Sequence, residues 1–127
     1  MFSHVMVGTN DIDRSKRFYD ALFTATGGRP GRTDDKGRLI YLNNGGVFMV
    51  SQPIDGQPAT HGNGATIGFA VENPEQAHAW QEAGIAAGGT AIEDPPGIRS
   101  NAFGSLYLAY LRDPDGNKLC ALHRPQA

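Results

Sequence analysis

The stretch LRDPDGNKLCAL, residues 111–122, decides the fold because it holds a complete strand–turn–strand signal. Pro114 restricts φ in the turn Asp113–Asn117, while aspartate, glycine and asparagine tolerate the unusual dihedral angles of a tight turn. Apolar residues flank the turn on both sides, which predicts a hairpin. The returning strand carries Cys120, the single cysteine of the chain, where a core aliphatic residue or a working polar group is expected.

The residues before this hairpin indicate a strand followed by a helix. ATIGFAV, residues 65–71, is a short apolar strand. ENPEQAHAWQEAGIAAGG, residues 72–89, carries helix start signals, with Asn73 as the N-cap and Pro74 in the first turn. Residues 95–105, rich in proline and glycine, are predicted as a long loop that leads into the first strand of the hairpin.

The first half of the chain repeats this order. FSHVMVG, residues 2–8, is predicted as a strand, and TNDIDRSKRFYDALF, residues 9–23, as a helix. RLIYLNNGGVFMV, residues 38–50, contains a hairpin signal at Asn43–Gly46. The polar segment 51–64, rich in proline and glycine, separates the two halves.

Both halves therefore predict a β-α-β-β-β module, at about residues 1–56 and 64–127, within a single domain that spans 1–127. Neither module could bury its sheet alone, so the two are expected to pair. The predicted fold class is α+β, with two curled mixed sheets around a cleft and the helices outside.

Side-chain alternation along the strands predicts which residues face this cleft. In the first strand, the alternation directs His4 and Met6 into the cleft. In the last strand, it directs Cys120 and Leu122 there, and the repeat sets Thr66 at the position equivalent to His4. The sequence does not fix the register of the further wall candidates, which are Tyr41, Phe48, Met49, Tyr107 and Tyr110.

Composition narrows the class of partner. Charged residues make up 19% of the chain and the formal net charge is −2, with no basic stripe interleaved with aromatic residues, so nucleic acid is not expected as a partner. No apolar run reaches the length of a membrane span, and the first residues do not resemble a signal peptide. One cysteine forms no internal disulfide, which favours a soluble protein of the reducing cytoplasm.

SHVMVGTNDIDRSKRFYDAL resembles the opening of the glyoxalase/bleomycin-resistance/extradiol dioxygenase superfamily, also called the vicinal oxygen chelate proteins. The shared pattern is the strand residue His4, then Asp11 and Ser15, then Phe18-Tyr19. DPDGN resembles the closing turn of the same family. The resemblance covers nearly the whole chain and implies paired β-α-β-β-β modules, a small-molecule ligand, completion in a homodimer and, in the enzymes of the family, a divalent metal in the cleft.

The ligand positions implied by the resemblance are mostly occupied by poor metal ligands. His4 matches the first ligand, but the second module has Thr66 at the next position and Cys120 where the family places a glutamate. The remaining position falls among Val47–Val50, which include no carboxylate or imidazole. A catalytic divalent metal usually needs about three protein ligands, so no cofactor is expected, and a metal would have to use an unrecognised arrangement.

Three residues have both a chemical and an ordinary interpretation. His4 could act as a general base or simply line the cleft. Cys120 could be a nucleophile activated by His4 across the cleft or a small buried apolar residue. Arg99 could meet a carboxylate or phosphate on a ligand or be a surface arginine on a mobile loop.

Two functions follow from the resemblance. The first is a small-molecule lyase, isomerase or dioxygenase-like enzyme with a degenerate metal site and catalysis by His4 and Cys120. The missing metal cage argues against lactoylglutathione lyase activity. The alternative is a metal-free binding protein that sequesters a hydrophobic or cationic compound, as resistance proteins of the family do. A likeness of fold does not choose between them.

Overall fold

A computed structural model describes residues 1–125, which form two helices and nine strands in two mixed sheets. The first half contains β1 Val5–Gly8, α1 Ile12–Thr24, β2 Arg32–Thr33, β3 Leu39–Asn43 and β4 Gly46–Ser51. The second half contains β5 Ile67–Ala70, α2 Pro74–Ala86, β6 Thr90–Ala91, β7 Gly97–Asn101, β8 Gly104–Arg112 and β9 Lys118–His123. The α+β fold class predicted from the sequence is confirmed.

Each half builds its sheet in the same way. The first sheet has the order β1-β4-β3-β2, with β1 parallel to β4 and the other pairs antiparallel. The second has the order β5-β9-β8-β6, with β5 parallel to β9 and β7 added beside β8. A helix follows the first strand of each half because Asp11 and Asn73 cap the N-termini, each accepting a hydrogen bond from a backbone N–H three residues on.

The structure corrects two boundaries. β1 begins at Val5, so the strand predicted from residue 2 is shorter at its start and His4 precedes it. The predicted loop 95–105 is mostly a hairpin, in which β7 pairs antiparallel with β8 and Asn101 stands opposite Gly104. Ladder hydrogen bonds to β8 outweigh the low strand propensity of this polar segment.

Both helices lie on one face of the sheets and share a single core. Phe18, Tyr19 and Leu22 of α1 are fully buried in it, together with Trp80 of α2. Gly84 of α2 faces Leu22 and the β8 residue Leu111, and a side chain there would collide with both. This face is called the inner face below, and the opposite face of each sheet, which neither α1 nor α2 covers, is called the outer face.

The closing turn is joined to the first module by a buried carboxylate, Asp115, whose side chain is 2% exposed. It accepts a hydrogen bond from the hydroxyl of Thr9 at 2.9 Å and from the backbone N–H of Asn10 at 2.9 Å. The guanidinium of Arg14 donates a third at 2.8 Å. The turn therefore fixes the start of α1 against the end of the chain.

Asp113 in the same turn anchors the middle of α1. Its carboxylate accepts a hydrogen bond from the hydroxyl of Tyr19 at 2.6 Å and from the side-chain amide of Asn117 at 2.8 Å. Burial, and then the charge of Asp113, raises the pKa of Tyr19 well above its ordinary value, so the phenol remains a donor. The two motifs at opposite ends of the sequence thus form one polar cluster.

Within residues 1–125, no helix is both long enough and apolar enough to cross a bilayer.

Candidate functional site: the outer faces of the two sheets

The outer face of the first sheet is apolar. Met6 of β1, Met49 of β4 and Ile40 of β3 stand side by side across three strands. Leu42 and Val47 form the next row. Met6 is 41% exposed and Leu42 67% exposed, so this side of the sheet presents thioether and aliphatic groups to its surroundings.

The outer face of the second sheet combines apolar, aromatic and charged groups. Tyr110 of β8 stands opposite Cys120 of β9, and Leu108 stands opposite Leu122. Arg99 of β7 stands opposite Leu106 of β8. Because Leu106 and Leu108 are two residues apart in one strand, Arg99 lies on the same face as Leu108. The placement of Met6, Met49, Tyr110 and Leu122 on the two outer faces agrees with side-chain alternation, and their role as ligand contacts stays a prediction.

Two cations lie over the ring of Tyr110. The ammonium nitrogen of Lys118 lies 5.0 Å from the ring centroid, and the guanidinium carbon of Arg99 lies 5.8 Å from it. Both distances are within the range of a cation–π interaction. Lys118 also forms an ion pair with Glu93, the carboxylate that follows β6.

Cys120 lies beneath these groups and is 6% exposed. Its strand neighbours are Tyr110 on one side and Gly68 of β5 on the other, and the glycine leaves room for the sulfur. Burial raises the pKa of the Cys120 thiol, although the charge of Lys118 acts in the opposite direction. A thiol with a raised pKa is a poor nucleophile at neutral pH, so this environment favours the interpretation of Cys120 as a packed residue.

Cys120 lies in the second sheet, whereas His4 lies just before the first strand of the first sheet. His4 precedes β1 on an exposed segment, where its Nδ1 atom lies 2.8 Å from the hydroxyl oxygen of Ser3. Thr66 is likewise exposed and immediately precedes β5. No hydrogen bond joins His4 to Cys120 among residues 1–125, so a catalytic pair of these two within one chain has no geometric support.

Three of the predicted wall residues lie on the inner face. Tyr41 and Phe48 are 3% and 6% exposed and pack with α1 in the core, and the Tyr41 hydroxyl donates a hydrogen bond to Asp20 at 2.7 Å. Tyr107 contacts α2 through a 2.6 Å hydrogen bond between its hydroxyl and His78. The sequence left the face of these residues open, because hydrophobic strand sequences without strict alternation do not reveal their register, and their role as ligand contacts stays a prediction.

The rings of Tyr41 and Phe48 instead border an open cavity of about 240 Å³ on the inner face. Phe23 of α1 and Phe69 of β5 complete its aromatic lining, and Val5 of β1 closes one side. The cavity thus lies where the first strands of the two halves approach each other.

The donor set does not fit the divalent metal expected from the resemblance. In the described part of the chain, no three His, Cys, Asp or Glu side chains are close enough to share an ion. Among Val47–Val50, where the resemblance places the remaining ligand, the outer-face residues are Val47 and Met49, and neither offers a hard donor. With Thr66 and Cys120 at the other positions, only His4 would be an ordinary ligand, and the combination suits neither a facial triad nor an oxygen-rich site.

Sequence reasoning missed Lys118 and Glu93. The signal for Lys118 was present, because it lies two residues before Cys120 in the same strand and alternation puts the two on one face. Glu93 gave no such signal, since it lies outside a strand and adopts a left-handed backbone conformation with a φ of 61°.

Comparison with known proteins identifies the family. The model of the Glyoxalase/Bleomycin resistance protein/Dioxygenase superfamily matches residues 1–121. No curated protein gave a significant match. Members of this superfamily often use metals, bind small molecules and dimerise.

Solved structures agree with this match. A glyoxalase/bleomycin resistance protein from Albidiferax ferrireducens is 60% identical, with a TM-score of 0.94 over 98% of this chain and 99% of that one. A glyoxalase-related enzyme from Fulvimarina pelagi is 22% identical, with a TM-score of 0.72 over 98% of this chain and 89% of that one. The fosfomycin resistance protein FosX from Mesorhizobium loti shares the fold at 14% identity, with a TM-score of 0.67 over 98% and 92% of the two chains. The chain belongs to the glyoxalase/bleomycin resistance protein/dioxygenase superfamily.

Proposed function

We propose that the protein binds a small organic molecule between the outer faces of the first and second sheets. No metal held by the protein takes part in this binding, and a homodimer completes the cleft. The observation that carries the proposal is the apolar outer face of the first sheet, where Met6 and Leu42 are exposed and neither α1 nor α2 covers them. Burial of apolar surface stabilises a complex by about 25 cal/mol per Å², so such a face favours an apolar ligand.

The strand edges support the homodimer. β1 and β5 each pair with one neighbour among the described strands, which leaves the other edge of each without a ladder partner. Free strand edges and exposed apolar groups favour pairing with another sheet. A second copy could supply β5 beside β1 and so bring an apolar outer face next to a charged one.

The side chains at the implied ligand positions support binding without metal chemistry. His4 is the one matching donor, and the raised pKa of Cys120 argues against an activated thiol. The proposal therefore favours the sequestering, resistance-type function over a lyase, isomerase or dioxygenase-like reaction. The single cysteine is consistent with action in the reducing cytoplasm.

The experiment measures binding of octan-1-ol by isothermal titration calorimetry to the wild-type protein and to Met6→Trp. We expect the wild type to bind and Met6→Trp, which fills the apolar face, to weaken binding at least about tenfold. Ile54→Trp is the matched control, because Ile54 is fully exposed in the segment between the two halves. Equal weakening in both variants would contradict the proposal, and so would a wild-type protein that binds neither octan-1-ol nor any charged molecule with the same eight-carbon tail.

Two further measurements test its other parts. Light scattering should give the mass of a dimer at micromolar concentration, and a monomer at every concentration would contradict the shared cleft. Elemental analysis should find no stoichiometric transition metal. Bound metal that is lost in His4→Ala would instead favour a metal-dependent enzyme.

A further inference from the structure

The charged groups on the outer face of the second sheet are mainly cations. The strand register puts Arg99, Arg112 and Lys118 on the same face as Tyr110. Glu93 is the carboxylate that contacts this group, through its ion pair with Lys118. Three cations against one carboxylate leave an excess of positive charge beside Tyr110.

Arg99 is held in place by backbone carbonyl groups. Its guanidinium donates to the carbonyl oxygens of Asp94 at 2.8 Å, Pro95 at 2.9 Å and Gly97 at 3.2 Å. Carbonyl groups orient the guanidinium without neutralising its charge. Within residues 1–125 no carboxylate forms an ion pair with Arg99, so the hairpin presents an oriented cation at the edge of the outer face.

Lys118 is partnered by a group that a ligand could replace. The Glu93 side chain is 42% exposed, and its backbone has a φ of 61°. A left-handed conformation is unfavourable for a residue other than glycine. The ion pair is partly exposed, where such pairs contribute little to stability, so an anion in the cleft could take the place of Glu93.

The two outer faces therefore differ in chemistry. Met6 and Leu42 offer an exposed apolar surface, whereas Arg99 and Lys118 offer positive charge over the ring of Tyr110. A ligand that matches both has an apolar body and a negatively charged end. A cationic compound, which the sequence alone left open, would meet repulsion from the second face.

We propose that the ligand is an amphiphilic anion whose carboxylate or phosphorus oxyanion is bound by Arg99 and Lys118 beside Tyr110. The proposal rests on the proposed function, because it assigns a headgroup to the ligand of that cleft. Charge-assisted hydrogen bonds from arginine and lysine to an oxyanion are shorter and stronger than neutral ones, and they would fix the orientation of an otherwise weakly directed apolar ligand.

The test compares probes that share one eight-carbon tail: octanoate, octylphosphonate, octan-1-ol and octylamine. Calorimetry on the wild-type protein should show at least one of the two anions binding about tenfold or more tighter than the alcohol, with the amine weakest. Raising the salt concentration from 0.05 to 0.5 M should weaken the anions and leave the alcohol nearly unchanged. The two anions distinguish a carboxylate site from a phosphonate site.

Variants locate the effect. Lys118→Gln should weaken the preferred anion about three- to tenfold, and Glu93→Gln, which removes the competing carboxylate, should strengthen it. Lys36→Gln is the matched control, because it removes the same charge from an exposed turn of the first half. Since Arg99 also holds the β7–β8 hairpin, Arg99→Gln is interpreted only with a melting temperature near that of the wild type.

The outcomes separate the two proposals. If the alcohol or the amine binds as tightly as both anions, or if Lys118→Gln and Lys36→Gln weaken anion binding equally, the anion site is wrong while the apolar cleft stands. If none of the four probes binds, the proposed function fails and the anion site fails with it.

Discussion

The two halves of the molecule each contain a hairpin at an equivalent place, but their turns differ in burial. The first turn, Asn43–Gly46, is a two-residue loop with positive φ at Asn44 and Gly45, and its tip is exposed. The second turn, Asp113–Asn117, is buried at both ends, with Asp113 at 4% and Asn117 at 8% exposure. One turn only reverses the chain, whereas the other also connects the two modules.

This difference in burial shows why two turns with similar hairpin signals contribute differently to the free energy of unfolding. Asn44 and Gly45 satisfy the backbone requirement of a type I′ turn, and little else depends on them. Asp113 and Asp115 accept hydrogen bonds from residues about a hundred positions earlier. Removal of a buried acceptor leaves its donors unpaired, which costs more than the loss of a turn preference.

The largest effect is expected from Asp115→Ala. The change leaves the N–H of Asn10 without its acceptor and Arg14 without its counter-ion, and it removes one acceptor of the Thr9 hydroxyl. The free energy of unfolding should therefore fall by about 2–4 kcal/mol. Urea titration measures this change. Asp55→Ala, which removes a carboxylate from an exposed turn, should cost less than about 1 kcal/mol, and an equal loss in both variants would contradict the anchoring role.

Tyr19→Phe should have an intermediate effect. It removes the 2.6 Å hydrogen bond to Asp113 and leaves a buried carboxylate oxygen with one donor fewer, at a cost of about 1–2 kcal/mol. Tyr107→Phe is the matched control, because the Tyr107 hydroxyl bonds to His78 at an exposed site and its loss should cost about 0.5 kcal/mol or less. If chemical denaturation showed a larger loss of unfolding free energy in Tyr107→Phe than in Tyr19→Phe, the Asp113 cluster would not hold α1.

A smaller effect, dependent on pH, is expected from Asp20 in the first half. Burial alone would raise the pKa of this carboxyl, but hydrogen bonds from the Gly31 N–H, Lys16 and Tyr41 outweigh it and hold the pKa below its ordinary value. Because the folded-state pKa is depressed, the stabilisation is present above the unfolded-state pKa of about 3.9 and is lost as the pH falls through the folded-state value.

Stability measured from pH 6 down to pH 2.5 should therefore fall less steeply in Asp20→Asn than in the wild type. The difference should amount to about 1 kcal/mol or less, because Asp20 is partly exposed. Asp13→Asn, a change at an exposed residue in the first turn of the same helix, should retain the wild-type slope. Identical slopes in all three proteins would contradict the assignment.

The smallest effect is expected in the exposed turn itself. Asn44→Gly keeps a residue that tolerates positive φ at an exposed position, so the free energy of unfolding should change by less than about 0.5 kcal/mol. Thermal melting of this variant beside Asp115→Ala gives the comparison directly. A loss above about 1 kcal/mol would mean that the first turn also contributes to tertiary packing.

The elements with strong local signals were predictable from the sequence. Capping residues located both helices at their starts, and the two turns located both hairpins. The β7 strand was missed because Gly97–Asn101 is polar and follows two prolines, so only its ladder with β8 makes it a strand. Local propensity does not contain that information.

The candidate site was predictable where alternation was unambiguous. Met6, Cys120 and Leu122 were assigned to the face that the register gives them. Tyr41 and Phe48 were not, because their strands are apolar on both faces. Lys118 pairs with Glu93, which lies in the connection between β6 and β7 and has a left-handed backbone conformation. The alternation of side chains along a strand does not predict contacts of a residue outside the strands.

The span between Thr9 and Asp115 has a consequence for biosynthesis. The two residues are separated by 106 positions, so a ribosome that adds about 5–20 residues per second needs about 5–20 s after making Thr9 before it reaches Asp115. During that interval the nascent first half has apolar strands and unsatisfied hydroxyls near the tunnel exit. Its maturation must wait for the last hairpin to emerge, and chaperones have that time window in which to act.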